Sequence, residues 1–197
     1  RDARSKFRQG KDSSTDHNDF SGDEKKALLP PVGPAKQDSG WIEYKAYANP
    51  KSRGDGQYKA MGKWNALAYA AYMFHHGHPG LKLDQDWEWL HIRGAQNGGA
   101  TNLSNLVAGT ATTNSRMIPW EDKINSWTKY AKPDHPLSVK FIGERVSGTD
   151  LGRLITISIA AEKGIPGKFY PVSKSVPLNV SFNPLNGTVF DRVSNKI

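Results

Sequence analysis

The residues whose types and spacing suit chemistry lie between Leu90 and Glu121, in LHIRGAQNGGATNLSNLVAGTATTNSRMIPWE. His91 is followed by the pair Gly98-Gly99 at +7 and +8 and by Asn105 at +14. Asn114 comes nine residues after Asn105, and Glu121 seven after Asn114. A neutral imidazole titrates near neutrality and can take a proton from water. A side-chain amide oxygen is a hard ligand of the kind Mg2+ accepts while keeping most of its waters, and a nearby carboxylate can hold those waters. Together these are parts of a one-metal hydrolytic site spread over a strand, a loop and a helix: a base, a cation for developing charge, and help for a leaving oxygen. The same residues also read as a loop-rich surface segment. His91 is then a packing residue beside two tryptophans, Asn114 a helix cap, Glu121 a first-turn acid favoured by the helix dipole and Arg93 a solvated cation.

The neighbouring sequence supplies the elements that must position these groups. DWEWLHI (86–92) alternates as a strand with Trp87, Trp89 and His91 on one face. RGAQNGGATN (93–102) is a loop in which glycine permits a sharp turn, and NLVAG (105–109) is a second short strand. A helix is expected within 110–131, capped by Thr110, Thr112 or Thr113, with Pro119 either starting or bending it. Residues seven apart share a helix face. Asn114 and Glu121 are therefore expected to project together, and to meet a strand-end His91 if the two strands fold against the helix.

Outside this stretch, WIEYKAYANP (41–50) has strand-like alternation, and AMGKWNALAYAAYMF (60–74) is Ala-rich and helical, stopped by HHGHPG. LSVKFIGERV and RLITISIAAEKG form an antiparallel pair, and 168–193 adds short edge strands interrupted by proline. The class is α+β with an antiparallel sheet and flanking helices. His75, His76 and His78 crowd a helix end, where histidine favours the dipole. A metal there lacks the carboxylate or cysteine pattern of a zinc set. The six tryptophans are expected to be core residues, with one or two able to line a cleft.

Composition narrows the class. The absence of cysteine excludes disulfides and Cys-based zinc sites. No run approaches the roughly 18–20 apolar residues of a membrane span, and no signal peptide is visible at the N-terminus. Residues 1–40 are polar and proline-bearing, with a net charge of +1, and are expected to be a linker or N-terminal extension. Residues 41–197 carry the other +7 of the net +8 and are expected to be the folded domain. A basic folded domain attracts polyanions, nucleic acid being the commonest; the alternative is a charge kept for solubility. A chain opening at Arg rather than Met is expected to be a portion of something longer.

The ordered set His91-Ile92, Gly98-Gly99, Asn105-Leu106-Val107, Asn114 and Glu121 resembles the nonspecific DNA/RNA endonuclease family with the ββα-metal fold, within the His-Me finger superfamily. It is most similar to the nuclease domains at the C-termini of bacterial polymorphic toxins. The resemblance spans about 32 of the 197 residues. It departs from the family pattern at Leu90, where Gly is usual, in lacking a preceding Asp-Arg-Gly, and in having Ala108-Gly109 where many members have Pro-Gln. A second histidine placed as in the His-Asn-His nucleases is absent.

The resemblance implies a ββα-metal core with His91 as general base, Asn114 as principal metal ligand and Glu121 organising metal-bound water. Arg93, or Arg116 in its place, would contact phosphate, since guanidinium matches its geometry. Asn105 would fix the strand or loop, and Gly98 and Gly99 the turn. The cofactor implied is Mg2+ or Mn2+, and the substrate DNA, RNA or both. The implied partners are an acidic immunity protein and a larger secreted carrier that delivers the domain into a target bacterial cytoplasm. Two other classes stay open: a basic nucleic-acid-binding module without chemistry, and a structural or adaptor domain.

Overall fold

The computed structural model describes residues 29–48 and 56–192. In chain order its elements begin with strands β1 (Lys36–Asp38) and β2 (Ile42–Tyr44) and helices α1 (Gln57–Ala60) and α2 (Ala66–His75). Strand β3 (Trp87–His91), a 3-10 turn (Ala95–Asn97), strand β4 (Leu106–Thr110) and helix α3 (Ala111–Thr128) follow. Strands β5 (Leu137–Arg145), β6 (Gly152–Ala160), β7 (Leu178–Phe182) and β8 (Val189–Arg192) complete the described chain. The architecture is α+β. β1 and β2 lie end to end along β5, followed by β6, β7 and β8 in one antiparallel sheet, while β3 and β4 form a separate antiparallel ribbon. Among the described residues no helix is long and apolar enough to cross a membrane.

The ribbon is a middle layer, and its alternation decides what each face meets. Leu90, Ile92 and Val107 join Met117, Ile124 and Trp127 of α3 and the inward residues of the large sheet, among them Val139, Phe141, Ile155, Ile157, Val180 and Phe182. Trp87, Trp89, Leu106 and Ala108 face the other way, onto Tyr69, Ala70, Tyr72 and Met73 of α2. The ribbon approaches the sheet so closely that a Cβ on Gly143 would fall 2.4 Å from Ile92 Cδ1.

Several local expectations change in the structure. The helix expected over 60–74 is two helices. Gly62 and Lys63 take left-handed backbone angles (φ 62° and 64°), and Asn65 then caps α2 by accepting from the Ala68 N–H at 2.7 Å. Helix α3 begins at Ala111, not Pro119, because Thr110 Oγ1 accepts from the Thr113 N–H at 3.2 Å. Pro119 lies within it, the helix being held by Met117, Ile124 and Trp127 packed in the core. Packing also starts before Trp41: β1 pairs with β5, and the Gly33 N–H donates to Asp150 Oδ1 at 2.9 Å. The rest of the expected extension, residues 1–28, lies outside the described residues.

One buried ion pair ties these layers. Arg145 at the end of β5 and Asp150 before β6 are both buried, with Nε 3.4 Å from Oδ1. The Arg145 guanidinium donates to the carbonyls of Pro34, Leu103, Ser104 and Leu106. The Asp150 N–H donates to the Tyr69 hydroxyl at 2.7 Å, and the Asp150 carbonyl accepts from the Ala108 N–H at 2.8 Å. Burial pushes the Asp150 carboxyl up, against the pull of the Gly33 N–H and Arg145, and lowers Arg145. Breaking such a pair leaves an uncompensated buried charge, so Asp150→Ala should destabilise the fold by about 3–5 kcal/mol, read as a lower urea midpoint. The double variant Arg145→Met/Asp150→Leu should recover little of this, because four carbonyls then lose their donor.

Candidate functional site

His91 closes β3, half-buried and cross-strand from Leu106, on the ribbon face of Trp87 and Trp89. The Gln57 side-chain amide, on α1, donates to the Trp89 carbonyl at 3.1 Å and lies 3.2 Å from His91 Nδ1. A carbonyl only accepts, so this contact fixes which end of the Gln57 amide is nitrogen and turns that end toward Nδ1. The other ring nitrogen, Nε2, lies 3.1 Å from Thr101 Oγ1.

The loop after His91 is held by its own backbone. Asn105 Oδ1 accepts from the Arg93 N–H at 2.9 Å, and its Nδ2 donates to the carbonyls of Arg93 (3.0 Å) and Ala100 (2.8 Å). Gly98 takes φ 87°, open to glycine at little cost. At Gly99 a Cβ would fall 1.7 Å from the Arg93 carbonyl oxygen, so a side chain there would displace the backbone. Arg93 Nε donates to the Asn97 carbonyl at 2.8 Å, and the same oxygen accepts from the Tyr44 hydroxyl at 2.9 Å. Burial raises the Tyr44 phenol above its ordinary value, with Arg93 opposing.

Helix α3 runs alongside the ribbon on the opposite face. Asn114 Nδ2 donates to Glu88 Oε2 at 2.5 Å. A carboxylate only accepts, so the Asn114 amide oxygen is turned away from Glu88. Farther along, Glu121 is 4% exposed and takes a hydrogen bond at 3.2 Å from Gln96 Nε2, which also donates to Asp122 Oδ1 at 3.1 Å. A Cβ on Gly94 would lie 2.4 Å from Glu121 Cδ, so glycine is what lets the loop close over this carboxylate.

The structure therefore brings the predicted residues to one strand–loop–strand–helix unit and divides them within it. Asn114 and Glu121 both face the ribbon and its loop, but seven residues are about 10 Å of helix rise. Asn114 meets Glu88, and Glu121 accepts from Gln96 with the Gly94 backbone packed over its carboxylate. Alternation along β3 sends Glu88 toward α3 and His91 toward α1. These contacts set Asn114 and Glu121 along the α3 side of the ribbon and the Gln57 contact of His91 on its other face. Arg116 is spent on the Gly187 carbonyl.

Sequence reasoning missed Glu88, Gln57, Thr101 and Gln96. Glu88 carried a signal, being the one charged residue in WEWLH and sharing its face with Leu90. Gln57 carried none, lying 34 residues from His91. His76 stacks on Tyr72 with ring centres 3.9 Å apart and bonds the Tyr72 carbonyl through Nδ1 at 2.7 Å, beside a cavity of about 360 Å3 lined by Leu29, Tyr69 and Met73. That cavity includes none of the site residues. Trp64, Trp87, Trp89 and Trp127 are buried core. Among the described residues, no group of three or more His, Asp or Glu side chains is arranged to hold a metal ion.

Compared with known proteins, the chain matches no family model, no curated protein and no solved structure.

Asn105→Ala removes three loop hydrogen bonds and leaves the Arg93 N–H without its acceptor. A stability loss of about 1–3 kcal/mol is expected by thermal or urea unfolding, together with faster hydrogen exchange at the Arg93 amide.

Proposed function

We propose that this chain is a metal-dependent nonspecific endonuclease that hydrolyses phosphodiester bonds of DNA, with RNA as the other substrate of the same chemistry, and that β3, β4 and α3 are a ββα-metal core. The observation that carries this reading is the course of α3 along β3. It sets Asn114 against Glu88 and Glu121 beneath the loop that follows His91. The net charge of +8 supports a polyanionic substrate.

His91 is the general base. On this reading Nε2 stays with Thr101, and Nδ1 accepts a proton from the attacking water once that water takes the place of the Gln57 amide. Both faces of a two-stranded ribbon are within reach at its end, where His91 stands, so a phosphate bound over the loop can meet His91 and α3 together. Arg93, its Nε held by the Asn97 carbonyl, has its terminal nitrogens over Gly98 for a phosphate oxygen. The donor types suit a hard cation, since Asn114 offers an amide oxygen turned away from Glu88, and Glu121 a carboxylate farther along the same side of α3 that would hold metal-bound water. Mg2+ or Mn2+ held there would offer charge to the phosphate as negative charge develops.

On this reading the chain is an antibacterial effector toxin domain of a larger secreted protein, acting in the cytoplasm of a target bacterium. In the producing cell an acidic immunity protein would complement its basic surface. The placement of His91 on the ribbon face away from α3 favours a second reading, a basic nucleic-acid-binding module that does no chemistry.

Incubation with plasmid DNA and Mg2+ separates the two. Cleavage is expected, abolished by EDTA, and slowed about 10²–10⁴-fold by His91→Ala. Asn114→Ala should also slow it. Equal cleavage by His91→Ala would remove that residue from the base role, and salt-dependent binding with no cleavage under either metal would establish the second reading.

A further inference from the structure

At the C-terminal end of α3, exposed aromatic rings and lysines share one surface. Tyr47, Tyr130 and Tyr170 are 45%, 42% and 89% exposed. Lys129 Nζ lies 5.4 Å from the centre of the Tyr47 ring, Lys168 Nζ 4.6 Å from that of Tyr130, and Lys123 Nζ 5.6 Å from that of Trp127. Three chain segments meet here: the residues after β2, the end of α3, and the loop between β6 and β7. The Ala48 N–H donates to Thr128 Oγ1 at 3.2 Å, and Phe169 packs edge-on against Trp127 at 4.9 Å. Tyr47, Lys129, Tyr130 and Lys168 therefore follow one another across the surface, with Tyr170 next in the loop.

Among the described residues, Lys123, Lys129 and Lys168 enter no ion pair. Asp122, next to Lys123, accepts from Gln96, while the nearby Glu43 is paired with Lys45 and Lys174. A face kept for solubility needs lysines but no exposed rings, and the core of a protein interface is depleted in lysine. Exposed rings interleaved with ammonium groups that enter no ion pair match a chain that offers both unpaired bases and phosphates. A duplex offers the phosphates but hides its base faces.

We infer that this surface binds single-stranded nucleic acid, with Tyr47, Tyr130 and Tyr170 stacking on bases and Lys123, Lys129 and Lys168 meeting phosphates. It adjoins the candidate site: Asp122 is bonded to Gln96, and Tyr44, three residues before Tyr47, to Asn97. A strand lying on it leads toward the loop over Glu121. The inference rests on the endonuclease reading only in making this strand the substrate; binding itself does not depend on cleavage.

Fluorescence anisotropy with the full chain in EDTA, using a labelled single strand of about 20 nucleotides and the duplex of the same sequence, tests it. The single strand should bind at least about tenfold tighter than the duplex. Tyr130→Leu and Tyr170→Leu should each weaken single-strand binding about fivefold or more, while Tyr→Phe at either position keeps it. The pair Lys129→Ala/Lys168→Ala should lower the slope of log affinity against log salt by about 1.4. Equal or tighter duplex binding overturns the inference, as do Leu variants that bind like the parent or Phe variants that lose binding. A chain that passes this test but cuts no plasmid keeps the surface and loses the endonuclease reading; one that cuts but fails it does the reverse.

Discussion

The buried Arg145–Asp150 pair is the interaction on which the other layers converge. A guanidinium taken out of water needs partners, and Arg145 uses its two terminal nitrogens on carbonyls from two distant segments, Pro34 and the run Leu103–Leu106, while its Nε lies 3.4 Å from Asp150 Oδ1 without a hydrogen bond. Asp150 reaches the first of these segments again through the Gly33 N–H, and its backbone reaches a third through Tyr69 of α2. Gly33 is required because a Cβ there would lie 2.6 Å from Arg145 Nη2. The hairpin between β5 and β6 is thereby joined to the start of β4, to α2 and to the N-terminal strap.

That node fixes the ribbon, and the ribbon fixes the site. Ala108 bridges to Leu151 beside Asp150, so β4 is held at the edge of the large sheet and β3 follows it in register. A ribbon packed on both faces has no neutral side: each residue of β3 belongs to the α2 core or to the α3 core. The physical cost of burying Trp87 and Trp89 against α2 is that His91, two residues on, shares their face. Glu88 and Leu90 are committed to α3 by the same alternation.

Within the loop, rigidity comes from backbone contacts, with no apolar filling. Asn105 imitates a strand partner by giving and accepting at Arg93, and Gly94 and Gly99 allow side chain or backbone to approach where a Cβ would collide. This arrangement holds Gln96 and Glu121 together.

The sequence by itself determined the elements that carry the candidate groups. Alternation in DWEWLHI and NLVAG, and the Thr110 cap before a helical run, are local properties, and strand, loop, strand and helix appear where those residues dictate. The class, α+β with antiparallel sheet, followed from the same patterns. What only the tertiary structure decided is which groups meet. Period-two alternation says that His91 and Glu88 face opposite ways, but not which face α3 covers, because both faces of this ribbon are apolar. A seven-residue spacing says that Asn114 and Glu121 share a side of α3, but their partners depend on how far two helical turns travel along the ribbon. Gln57, Thr101 and the Arg145 node were beyond sequence reading for the same reason: their contacts join segments whose separation no local pattern encodes.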